Sequence, residues 1–121
     1  MTRKVSFTAL EKELAPEFRE KMNHAEGVID LENFYTHTML KLVQRALDEP
    51  IRLMPDDIQF DPDRKEGFRL SKRLRDHPGY RELAAESDIE HILHKFAEAV
   101  KNRYKHYRKH PERPMSKAPG A

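Results

Sequence analysis

Cysteine is absent from this sequence, and so is tryptophan. Without thiols there can be no disulfide, thiolate metal site, iron–sulfur cluster, attached c-type haem or cysteine nucleophile, and a reducing compartment is the natural setting. Only four glycines occur and they never cluster. That removes the phosphate-cradling and dinucleotide-binding loops, which need glycines in series so that backbone amides can approach a phosphate. No serine stands in a Gly-x-Ser-x-Gly elbow. No apolar run approaches the roughly 18 residues of a membrane span. The basic start is followed by Glu11, Lys12 and Glu13 rather than by the apolar stretch of a secretory signal. The expectation is a cytoplasmic protein that does not enter a membrane.

What is present is charge. Of 121 residues, 36% are charged and 37% hydrophobic, enough apolar material for one modest core and too little for a deep enclosed pocket. Neither a cofactor nor a small-molecule substrate is expected. Leu, Lys, Glu, Arg and Ala dominate while Val and Thr are sparse, a helical composition. The expected fold is therefore all-α: a single small irregular helical bundle of four to five helices over residues 1–110. A Pro-rich, disordered tail is expected at 111–121.

Periodicity places the helices. Phe7, Leu10, Leu14, Phe18, Met22 and Ala25 recur every three or four residues, so a helix is predicted from Ser6 or Thr8 to about Ala25. Thr8 and Glu11 have capping-box spacing. Pro16 lacks a backbone donor, so the segment is read as kinked or as two short helices. A second helix, about Leu31 to Asp48 with Asp30 as N-cap, is apolar on most sides, with Leu40 and Leu47 on its far side. Such a helix packs against more than one neighbour and forms the centre of the core. Pro50 ends it.

Residues 49–63 hold three prolines and no period, and read as a long connection packed down through Ile51, Leu53, Met54, Ile58 and Phe60. Residues 64–77 read as a short basic helix with Phe68, Leu70 and Leu74 inward, followed by a His77-Pro78-Gly79 turn. Tyr80 to Glu86 is helical. Ser87 and Glu90 repeat the capping-box spacing before the last and longest helix, Asp88 to Lys109. Its apolar stripe is Ile89, Ile92, Leu93, Phe96, Ala97, Val100, Tyr104 and Tyr107, while Lys101, Lys105 and Lys109 repeat on another face.

Seven histidines invite a metal reading. Glu20/His24, Glu90/His94 and His106/His110 are i,i+4 pairs, but neither Glu-x-x-His nor His-Glu-x-x-His occurs, and His91 and His94 project away from the apolar stripe. No metal site and no catalytic residues are assigned. Residues 81–93 carry the Leu-Ala and later Ile of a helix-turn-helix but lack its turn glycine.

The charge is unevenly distributed. Residues 99–121 carry a net +6, leaving −4 on the remainder. A near-neutral body with a basic end directs attention to Arg69, Lys72, Arg73, Lys101, Tyr104, Lys105, Tyr107, Arg108 and Lys109 as partner- or nucleic-acid-binding residues. The sequence-based expectation is a non-enzymatic adaptor or assembly module that binds a protein partner, or a second copy of itself, through a projecting C-terminal helix. The alternative is an RNA- or DNA-binding protein that uses basic helices 64–77 and 88–109. In that reading the cations neutralise phosphates and exposed tyrosines stack on bases.

Overall fold

Burial and pairing are described here for residues 6–47 and 51–109 of a computed structural model, with side chains through Tyr107. Pro50 and the tail 111–121 lie outside the described residues. Among the described residues, five helices and one two-stranded hairpin make up an all-α bundle. Helix α1, Thr8–Asn23, sends Leu14, Phe18 and Met22 into the core. It runs as one helix through Pro16, whose missing donor concerns the Lys12 carbonyl; both residues are exposed, which leaves the turn accessible to solvent.

The predicted Thr8/Glu11 capping box does not form. Phe7 is the N-cap residue, and its N–H donates 2.9 Å to Oδ1 of Asp88, 81 residues away. The Ser6 hydroxyl donates to the other Asp88 oxygen, at 3.0 Å. Glu11 instead forms an ion pair with Lys95 at 2.7 Å. The start of α1 is thus held by tertiary partners, which a local motif cannot anticipate.

Helix α2, Val28–Ala46, begins three residues earlier than its predicted start at Leu31. Asp30 sits in its first turn rather than at the cap, where its carboxylate accepts from the Glu26 N–H at 2.9 Å. Leu31, Tyr35, Met39, Leu42 and Val43 are each 0% exposed, so α2 is the centre of the bundle. The far side is covered too, with Leu47 buried and Leu40 half-buried. The Tyr35 hydroxyl, deep in that centre, donates 2.9 Å to the Leu93 carbonyl.

Residues 64–77 are not one helix: only 72–75 are helical. Ile58–Phe60 (β1) pairs antiparallel with Phe68–Leu70 (β2), Ile58 opposite Leu70 and Phe60 opposite Phe68. Buried Ile58 and Phe60 flank Gln59, and Phe68 and Leu70 flank exposed Arg69. That is the two-residue period of a strand, displayed over too few residues to compete with the helical composition around it. The connection 49–63 accordingly contains β1 and, ahead of it, one 3₁₀ turn at Pro55–Asp57. Phe68 and Leu74 do face the core and Leu70 is half-buried, as expected of them. Gly67 makes the hairpin possible: its φ is +88°, its N–H donates to the Arg64 carbonyl and its carbonyl accepts from Asp61 N–H.

A single helical turn follows β2, α3 at Lys72–Arg75, capped by the Ser71 hydroxyl on Leu74 N–H at 3.0 Å. His77-Pro78-Gly79, predicted as a turn, is the start of helix α4, Pro78–Glu86. Pro78 occupies the position where its missing N–H costs nothing, and His77 Nδ1 accepts from Gly79 N–H. The second predicted capping box also gives way. Ser87 donates to the Leu83 carbonyl and accepts from Ile89 N–H, while Glu90 accepts from the Tyr80 hydroxyl at 2.8 Å. Helix α5, Ile89–Lys109, then crosses α2 and α1 with Ile89, Ile92, Leu93, Phe96, Ala97 and Val100 buried.

The connection is anchored by one carboxylate. Asp57 is 2% exposed. It accepts from Met54 N–H at 2.7 Å, from the Ser71 hydroxyl at 2.6 Å and from the Arg73 guanidinium, while Ser71 N–H donates to its carbonyl. Burial pushes this carboxyl up, but the Ser71 hydroxyl, the Met54 N–H and Arg73 together outweigh burial and hold it below the usual Asp value. A depressed carboxyl adds stability that is complete above the unfolded value of about 3.9 and disappears as pH falls through the lower folded value. The difference in urea midpoint between the wild type and Asp57→Asn is therefore expected to be constant from neutral pH down to about 4 and to shrink below it.

Candidate functional site

The nine residues singled out from sequence do not form one surface. Arg73 is bound to Asp57 and also donates 2.7 Å to the Arg52 carbonyl, so it secures the connection. Lys72 is exposed and pairs with Asp76 at 2.8 Å, one turn on. Arg69 lies on the outer face of β2 and donates to Gln59. Lys101 lies on α5, where its ammonium approaches the Arg64 carbonyl at 3.3 Å and Glu98 at 3.9 Å. Lys105 is exposed one turn further along the same helix. Arg108 and Lys109 belong to the last turn of α5, and their side chains lie outside the described residues.

The two tyrosines do not project. Tyr104 meets Phe60 edge-on with ring centroids 5.8 Å apart, and the Tyr107 hydroxyl donates 2.9 Å to the Ala25 carbonyl. Both close the core against β1 and the α1–α2 connection. The end of α5 is fastened down, contrary to the expected free arm.

The hairpin loop lies beside the outer face of α5, joined by the Lys101–Arg64 contact and by His94 Nδ1 at 2.9 Å from the Glu66 carbonyl. The loop carries Arg64 and Lys65 and the adjoining part of α5 carries Lys101 and Lys105, but the same two segments also carry Asp61, Asp63, Glu66 and Glu98. Asp61 is paired with Arg64 at 3.4 Å and Glu98 with Lys101. Four cations against four carboxylates make a mixed surface, a weak source of phosphate attraction compared with the net charge of the segment alone. Among the described residues, no group of three His, Asp or Glu side chains is gathered as a metal would require.

A different feature stands out between α1 and α5. Phe18 and Phe96 face each other with centroids 4.9 Å apart. Around them Ala15 on α1 and Ala99 on α5 are too small to fill the space between the helices. A groove of about 320 Å³ results, lined by Glu11, Ala15, Phe18, Arg19, Met22, Lys95, Phe96, Ala99 and Arg103 and open to solvent along one side. Its floor is apolar. Its rim carries three cations and one carboxylate, and that carboxylate, Glu11, is already paired with Lys95. Arg103 donates to the Met22 carbonyl at 2.9 Å and to Asn23, and makes no ion pair with a described carboxylate. Arg19 is exposed and makes no ion pair with a described residue.

Sequence reading missed this site. Phe18, Met22 and Phe96 belong to the core stripes legible in the sequence and are buried, whereas spacing alone singles out neither Ala15 nor Ala99. An alanine beside an apolar stripe signals a groove only once it is known which helix packs opposite.

No helix among the described residues is long and apolar enough to cross a membrane. No protein-family model, curated protein or solved structure matches the chain.

Proposed function

We propose that the chain is a non-enzymatic protein-interaction module whose α1/α5 groove receives an apolar segment flanked by acidic residues. The observation that carries this reading is the groove itself, with an apolar floor, a basic rim and an open side. An amphipathic helix or turn could lay two or three apolar side chains on Phe18, Met22 and Phe96 while its carboxylates meet Arg19 and Arg103. The open side suits a segment of polypeptide better than a small molecule, which is usually enclosed on most of its surface. A cytoplasmic setting, which the cysteine-free sequence suits, belongs to the same proposal. Compared with the sequence-based expectation, the proposal retains a protein partner and the C-terminal helix but moves the contact from the end of α5 to its side.

The test is a titration of labelled helical peptide, with Leu at i, i+3 and i+4 and Glu on the flanking positions, against the chain. Affinity on the order of 10–100 µM is expected for so short a contact. Ala99→Leu fills the groove from an exposed helix position, so it is expected to weaken the peptide by about tenfold or more while moving the unfolding midpoint little. Undetectable peptide binding, or binding indifferent to Ala99→Leu, would remove the proposal. A parallel titration with single- and double-stranded oligonucleotides covers the alternative. Micromolar binding that falls steeply with salt would favour nucleic acid as the partner.

A further inference from the structure

The groove has a chemical complement on the same molecule. Ile29, in the first turn of α2, is 71% exposed and is the most exposed large apolar side chain among the described residues. The sequence on either side of it is acidic: residues 26–33 hold Glu26, Asp30 and Glu32 and no Lys or Arg. An apolar knob in an acidic collar matches an apolar floor with a basic rim. Nothing in the fold requires Ile29 to be apolar, since it contributes little to the core.

One end of the groove, at Met22 and Arg103, adjoins the turn that leads to Ile29. Met22 lines the groove and Ile29 follows seven positions later. The intervening turn is tied to α5 by Arg103 on the Met22 carbonyl and by Tyr107 on the Ala25 carbonyl. A two-fold axis near that turn can bring each knob over the other copy's groove, so that the exchange closes as a dimer instead of extending as a filament.

We infer that the occupant of the α1/α5 groove is the Ile29 corner of a second copy of this chain. This rests on the groove reading above and names its partner. Each contact inserts one Ile, with Glu26 and Glu32 opposite Arg19 and Arg103, so the dimer is weak and its affinity falls with ionic strength.

The experiment is sedimentation velocity on the full chain from about 10 µM to about 1 mM, at low and high salt. The mass is expected to rise from 14.3 kDa toward twice that value, less so at high salt. Ile29→Asp, at an exposed position where an acid suits the helix N-terminus, and Ala99→Leu are each expected to weaken association by about tenfold or more. An equimolar mixture of the two variants is expected to associate more tightly than either alone, because the Ala99→Leu knob can enter the Ile29→Asp groove. A 14.3 kDa species throughout, association unaffected by Ile29→Asp, or a mixture no tighter than its components would each overturn the inference. The peptide titration is read independently of this: a chain that stays monomeric yet binds the acidic peptide loses the second copy as partner and keeps the groove.

Discussion

Gly67→Ala is expected to destabilise the fold by about 3 kcal/mol, the sum of a strained backbone and an overlap in the core. At φ +88° an L side chain meets its own backbone, and an added Cβ would stand 2.7 Å from Cβ of Ala97, which is fully buried on α5. The two causes can be separated. Gly67→Ala combined with Ala97→Gly relieves the overlap but leaves the backbone strain, so the double variant should recover only part of the loss after allowance for Ala97→Gly alone. Gly27→Ala is the control: no atom lies within 4 Å of its added Cβ and its backbone is extended, so less than about 1 kcal/mol is expected. Urea midpoints of the four variants decide the matter.

The second large effect belongs to Asp57. Asp57→Ala removes the acceptor shared by Met54 N–H, the Ser71 hydroxyl and Arg73. Buried donors left without partners cost more than the bonds were worth, and a loss of about 2–4 kcal/mol is expected. The figure stays below that for a fully buried ion pair because the Arg73 side chain is 51% exposed and can turn to water. Arg73→Ala is expected to cost less than Asp57→Ala for the same reason. The opposite order in urea unfolding would show that Asp57 is not the hub of the connection.

These two residues mark the limit of what the sequence could reveal. The long stripes were readable. Six buried residues of α5, the α1 face at Leu14, Phe18 and Met22, and the central role of α2 follow from spacing alone, because burial of a helix face needs no knowledge of its partner. The hairpin was not readable. Its strands are three residues each, and the role of Gly67 depends on Ala97, 30 positions later. Both predicted capping boxes failed because tertiary partners took over: Asp88 holds the start of α1, and Tyr80 takes Glu90.

The site was hidden for a related reason. Charge counted along the chain points to the C-terminal helix and, for a nucleic-acid partner, to 64–77 and 88–109 together. In three dimensions Arg73 turns to Asp57, Lys72 to Asp76 and Arg64 to Asp61, while Tyr104 and Tyr107 pack inward. Arg19 and Arg103, which pair with no carboxylate among the described residues, come from different helices. Only the α1–α5 packing brings them to one rim, and only the small size of Ala15 and Ala99 leaves room between them.

The most direct measurement of the central claim is an amide and methyl NMR titration of the chain with the acidic helical peptide, read residue by residue. Perturbations that cluster on Ala15, Arg19, Met22, Phe96, Ala99 and Arg103, and vanish in Ala99→Leu, are the predicted result. Perturbations centred on Lys101, Lys105 and the 61–67 loop, with the groove unchanged, would contradict it.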